Sequence, residues 1–193
     1  GRGYIYDILC GLKFKLSPLS FYQVNRSQAE VLYEIAKKYA SLSGTETVLD
    51  MYCGTGTIGL SCCDKASQVI GVEIVPQAID DANENAILNN ISNARFICAD
   101  AEKAAKQLEK EGIHADVIIL DPPRKGCTEE LIKTCVKMKP DRIVYVSCNP
   151  ATQARDLKLL CELGYNLEEV TPVNMFPRTA HVECCVLLCQ EEN

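Results

Sequence analysis

Three observations predict an α/β protein built on a mostly parallel sheet with helices on both faces. From residue 47 onward, short continuous apolar strand patterns alternate with amphipathic helix patterns, the signature of strands buried on both sides. The first of these strands runs directly into a glycine turn, TVLDMYCGTGTIG, and then into a helix pattern. The last two segments have no helix pattern between them and predict an antiparallel pair at one edge. With 193 residues and 47% hydrophobic content, the chain can bury a sizeable single core.

Taken in order, residues 4–16, YIYDILCGLKFKL, alternate imperfectly around Gly11 and predict a strand pair, followed by a polar and aromatic connection, SPLSFYQVN. Asn25 suits the N-cap of a helix over RSQAEVLYEIAKKYA, whose Ala29, Leu32, Tyr33 and Ala36 share one face. Strands are predicted at TVLDMY, QVIGVEI, ARFICA, DVIILD and RIVYVSC, with helices near 57–65, 77–90, 101–111 and 128–138 between them. A further helix, ATQARDLKLLCELG, stops at Gly164, and YNLEEVTPVNMF and HVECCVLLCQ form the predicted antiparallel pair. There are no repeats, linkers or low-complexity tracts.

Composition narrows the function. No stretch approaches the roughly 20 apolar residues of a membrane helix, and GRGYIYDILC lacks the pattern of a secretory signal, so a soluble, intracellular protein with no membrane partner is expected. The 12 cysteines form no CxxC pair and no zinc spacing, and several lie in apolar runs; a reducing, cytoplasmic setting and no metal site are expected. The net charge of −6 counts against a nucleic-acid surface of the usual basic kind.

Gly54, Gly56 and Gly59 satisfy GxGxxG, with Glu73 ending the next strand 19 residues after Gly54. That pattern suits NAD and S-adenosylmethionine equally. Asp50, at the carboxyl end of the first strand, favours the second, because a fixed carboxylate repels a pyrophosphate and attracts a sulfonium and an ammonium. Glu73 would accept hydrogen bonds from ribose hydroxyls, and Asp100 would lie near the adenine. The structural alternative is that Asp50 and Asp100 cap helices. Asp121 opens the rigid DPP ledge, and Cys148 ends the fifth strand ahead of a helix N-terminus that would favour its thiolate. Ligands in open α/β sheets bind beyond the carboxyl ends of the strands, so Asp50, Glu73, Asp100, Asp121 and Cys148 should border one crevice.

FYQVN, LDMYCGTGTIG, GVEIVPQAI, LDPPRKG, YVSCNPATQARDL and HVEC, in this order and spacing, resemble the uracil-C5 RNA methyltransferases, especially the bacterial 23S ribosomal RNA enzymes, over residues 4–189. SCNPATxARD with a downstream HVE is the specific combination. The resemblance implies a Rossmann-like class I S-adenosylmethionine-dependent methyltransferase fold: a mostly parallel seven-stranded sheet with an antiparallel edge strand, plus a short N-terminal β segment. It implies S-adenosylmethionine as methyl donor, S-adenosylhomocysteine as product and RNA, foremost 23S rRNA, as partner; a monomer is expected. Gln23, Tyr52, Thr57, Glu73, Asp100 and Asp121 would contact the cofactor together with the backbone at Gly54 and Gly56, Cys148 matches the nucleophile, and Glu183 matches the general base. Enzymes of this family usually also carry an N-terminal RNA-binding barrel and a central domain, some with an iron-sulfur cluster held by upstream cysteines. On this reading residues 1–20 are a remnant of the preceding domain and 21–193 are the catalytic domain.

Uracil C5 is too weak a nucleophile to accept a methyl group unaided, and a cysteine that adds to C6 divides the difficulty into smaller steps. Aromatics such as Phe21, Tyr22 and Phe176 are candidates to stack on the base, Arg124, Lys125, Arg155 and Arg178 to meet phosphates, and His181 is a rival base. The competing readings are a tRNA uracil-C5 enzyme, a methyltransferase of exocyclic amines or of cytosine C5, a non-catalytic cofactor-binding module, and an NAD-dependent oxidoreductase. Arg124 stands after Pro123 where amine enzymes place an aromatic residue and cytosine-C5 enzymes a cysteine.

Overall fold

A computed structural model describes residues 3–18, 21–179 and 181–191; residues 1, 2, 19 and 20 of the expected N-terminal remnant lie outside them. The chain opens with a hairpin, β1 (Ile5–Leu9) and β2 (Leu12–Leu16), closed by Cys10 and Gly11 at φ 51 and 78. Two positive-φ residues give the turn a twist that matches the flanking strands. The hairpin's Leu9, Phe14 and Leu16 face inward and share a core with helix α1 (Arg26–Ala40). The Asn25 carboxamide caps that helix, accepting from the Gln28 N–H at 3.4 Å.

Strand and helix then alternate through β3 (Thr47–Met51), α2 (Thr57–Cys62), β4 (Gln68–Glu73), α3 (Pro76–Leu88), β5 (Ala94–Cys98), α4 (Ala101–Lys110), β6 (Val117–Leu120), α5 (Glu129–Lys137), β7 (Arg142–Ser147) and α6 (Pro150–Glu162). Strands β8 (Tyr165–Val173) and β9 (Glu183–Gln190) complete a seven-stranded sheet of order β5-β4-β3-β6-β7-β9-β8. The order reverses between β3 and β6, which opens a crevice at the carboxyl ends of those two strands. Two apolar clusters cover the faces. One joins the hairpin, α1 and α2, and the other joins α4, α5 and α6.

The expected seven-stranded, mostly parallel sheet is present, with one change of detail at its edge. The strand that opposes the rest is β9, and it lies between β7 and β8 rather than at the border. Burial explains this. Residues 183–186 of β9 are buried, as an interior strand requires, whereas β8 exposes Glu168, Glu169, Val170 and Pro172. Charges and a proline that cannot donate to a ladder suit a border strand. Among the described residues no helix is long and apolar enough to cross a membrane.

Candidate active site

The crevice floor is the glycine segment after β3. Tyr52, Gly54 and Gly56 all take positive φ (66, 54 and 82), which folds the chain back so that the Cys53 N–H reaches Val72 O in β4 at 2.9 Å. Gly56 caps α2, and a side chain there would sit 3.1 Å from the Phe96 ring as well as being strained. Beneath the turn, Asp50 Oδ2 accepts the Gly59 N–H at 2.9 Å. Glu73 closes the side: Oε2 accepts from Gly54 N at 3.2 Å, and Oε1 accepts from Ile74 N and Val75 N at 2.8 and 2.9 Å. Asp100 caps α4 through Lys103 N at 3.2 Å with its side chain exposed, and Thr57 Oγ1 donates to Tyr33 Oη at 3.2 Å. The capping roles set against cofactor contact for Asp50 and Asp100 are therefore both real. Tyr52 is half-buried beside Cys127 and Asp100.

Gln23 Oε1, Asp50 Oδ1 and Thr55 Oγ1 are buried without a hydrogen-bond partner. Buried polar atoms are normally paired, so such orphans fit a polar ligand that completes them. Two of the three belong to the glycine segment and the strand feeding it. This donor and acceptor set, with a carboxylate in place of a phosphate-binding cation, fits S-adenosylmethionine.

On the other side of the switch point stand the candidate reactive groups. The β7–β9 register runs from Arg142↔Cys189 to Ser147↔Cys184; Cys148 follows and Glu183 precedes that last pair, near enough for the Glu183 charge to act on the Cys148 thiol. Glu183 is 4% exposed, whereas His181 is exposed. Asp121 leaves β6 beside them; burial, then the charges of Glu183 and Asp50, hold its carboxyl well above the usual carboxylate range. Burial also raises Glu183, against the Arg124 guanidinium, which lowers it. The Cys148 thiol departs from the expectation of a favoured thiolate. Burial first and Glu183 second push it up, and the Arg124 guanidinium pulls the other way. A strand-end helix is visible in the local sequence; a carboxylate arriving from 35 residues downstream is not.

The DPP ledge is fastened to the start of α6: Asn149 Nδ2 and Thr152 Oγ1 donate to Arg124 O at 3.0 and 3.1 Å. Deeper, Asp156 accepts from Cys127 N at 2.7 Å and Tyr145 Oη at 2.6 Å and pairs with Arg155. Arg155, expected to meet phosphate, is exposed and also donates to Lys125 O and Cys127 O at 3.0 and 3.2 Å. Gln153 and Asp156 carry roles that motif reading did not assign. The signal available was two polar residues in the buried stripe that α6 shares with Leu160. A cavity of about 820 Å³ opens between the start of α1 and the β8–β9 connection, lined by Arg26, Met175 and Phe176 among others. Of the proposed stacking residues, Phe176 borders it, Phe21 is exposed, and Tyr22 donates to Asp7 at 2.8 Å.

Residues 11–191 match the tRNA (uracil-5-)-methyltransferase family. The chain belongs to that family. Every candidate residue from Gln23 to Glu183 falls inside the matched span. An RNA methyltransferase of Bacillus cereus that is itself uncharacterised is 56% identical over 192 residues, covering 100% of this chain and 42% of its own length. A counterpart from Staphylococcus aureus is 54% identical over 97% of this chain and 41% of its own. The chain therefore spans about two fifths of the curated relatives it matches. Among solved structures, the Pyrococcus abyssi tRNA (uracil-54, C5)-methyltransferase, in complex with S-adenosylhomocysteine, superposes with a TM-score of 0.81 at 35% identity over 97% of this chain and 45% of that one. An S-adenosylmethionine-dependent methyltransferase from Agrobacterium tumefaciens, 18% identical over 100% of this chain and 71% of that one, shares the fold at a TM-score of 0.74. The Rossmann-like fold of these methyltransferases is the fold of this member of the uracil-5 family.

Proposed function

We propose that this chain is the catalytic part of an enzyme that methylates C5 of a uridine in RNA, giving 5-methyluridine through a covalent cysteine adduct. The observation that supports the reading is the end of the β7–β9 register, whose last pair, Ser147↔Cys184, is flanked by Cys148 on one strand and Glu183 on the other. S-adenosylmethionine, when bound, supplies an electrophilic methyl group. Gln23, Tyr52, Thr57, Glu73, Asp100 and Asp121 would hold it with the Gly54 and Gly56 backbone, above Asp50.

Cys148 adds to C6 of the base, which drives electron density to C5 and makes it nucleophilic. Once C5 is methylated it is saturated, and Glu183 removes its proton so that the C5–C6 double bond reforms and Cys148 leaves. A carboxylate whose affinity for protons is raised by burial is a stronger base than an exposed one, which suits it to a carbon acid. The target carbon is enclosed only if the uridine is flipped out or already unstacked.

The reading takes 23S rRNA as substrate, in the cytoplasm, by a monomer. A tRNA substrate is the second reading, favoured by the likeness to the tRNA uracil-54 enzyme. Nucleoside mass spectrometry of ribosomal and transfer RNA from cells lacking the full-length protein separates the two; loss of 5-methyluridine from neither RNA overturns both. In the full-length enzyme, Cys148→Ala should abolish transfer with cofactor affinity unchanged. Glu183→Gln should trap a denaturation-resistant RNA–protein adduct, and turnover without an adduct would move the base role elsewhere.

A further inference from the structure

We propose that Gln153 is a positioning residue for the elimination step, holding β7 and β9 at the separation that brings Glu183 to the base carried by Cys148. This rests on the function proposed above. Gln153 is 2% exposed on the inner face of α6, one turn after the helix begins at Pro150. Its Nε2 donates to two carbonyls at 3.1 Å each: Tyr145 O on β7 and Cys184 O on β9. A primary amide has two N–H donors, and both are used here. Tyr145 stands three residues before the nucleophile, and Cys184 immediately follows the base.

The link falls at the end of the β7–β9 ladder, whose last pair is Ser147↔Cys184. Beyond Ser147↔Cys184 the β7–β9 pairing stops, so Cys148 and Glu183 lie outside the paired register. A buried amide costs desolvation free energy unless it is fully hydrogen-bonded, whereas leucine or methionine would fill the same space without tying the strands together.

The step that depends on this spacing is the last one. The Glu183 carboxylate takes the C5 proton, the C–H electron pair restores the C5–C6 double bond, and the C6–Sγ bond breaks with its electrons returning to Cys148. Addition of Cys148 to C6 and methylation of C5 need no contact with Glu183, so loosening the seam slows elimination selectively.

The test uses full-length enzyme and substrate RNA tritiated at uracil C5, in single turnover. In the wild type, tritium release should keep pace with methyl transfer. In Gln153→Met, methyl transfer and affinity for S-adenosylhomocysteine should hold, while tritium release lags by roughly tenfold or more, the scale expected for a misplaced catalytic group. Adduct should accumulate over the same interval. Gln153→Asn, which keeps an amide too short to span both carbonyls, should show the same lag and covers the case in which the methionine variant does not fold. Release that keeps pace with methylation in a folded variant, or both steps slowed by one common factor, would overturn the positioning role. A wild type that methylates none of the RNAs would instead overturn the function itself.

Discussion

Asp50 lies 1% exposed at the end of β3, with one oxygen on Gly59 N and the other unpartnered. Burial, with a further push from Glu73 against the Gly59 hydrogen bond, raises its carboxyl to about 7. A folded-state pKa above the unfolded value means that the fold prefers the protonated acid. The penalty is absent below pH 4, grows as pH rises towards 7, and reaches up to roughly 4 kcal/mol above it. Asp50→Asn should therefore raise the urea midpoint of the ligand-free protein at pH 8, with the gain vanishing as the pH falls to 4. The same substitution should weaken S-adenosylmethionine binding by about tenfold, the scale of one charge-assisted hydrogen bond. Unchanged affinity would leave Asp50 with the capping role alone. At this scale Cys148 and Glu183 could be singled out as the candidate pair because they sit in specific motifs. Gln153 was not, because its partners are carbonyls on two strands, one of them 31 residues away, that only folding brings together.

The predicted strands over 47–52, 68–74, 94–99, 116–121 and 142–148 each extend one residue past the ladder at the carboxyl end, to Tyr52, Ile74, Ala99, Asp121 and Cys148. These residues continue the strand pattern in sequence beyond the last residue of each strand. The apolar pattern thus located the strands and overran each by one residue. Helix α2 is shorter than its predicted span of 57–65, since the chain must turn for Ser67 N to reach Glu46 O at 2.9 Å. The β6–α5 connection depends on Asp156, and Gly126 permits this: at φ +76, an added Cβ would lie 2.5 Å from Asp156 Oδ2. Asp156→Ala would leave Tyr145 Oη and Cys127 N buried without their partner. We expect a loss of about 2–4 kcal/mol, on the scale of leaving two buried donors unsatisfied, measured by urea denaturation. A loss below about 1 kcal/mol, the value of a surface pair, would show that the frame does not need it.

For the whole molecule, the alternation of patterns gave the α/β class, but nothing local encodes strand order. The switch point between β3 and β6 and the insertion of β9 beside β7 follow from how crossovers and burial resolve in three dimensions. The switch-point crevice leads to a direct test of ligand class. Isothermal titration of the 193-residue chain should give heat with S-adenosylhomocysteine and none with NAD. Heat with NAD alone would overturn the assignment of Asp50 and the glycine turn. The place of β9 also bears on synthesis. A nascent chain released only as far as residue 182 has Ile143, Val144, Tyr145 and Val146 along a β7 edge that the finished fold covers. Such an edge templates association with other chains. Translation that stops short would therefore yield insoluble product, so solubility arrives with the same strand that carries Glu183.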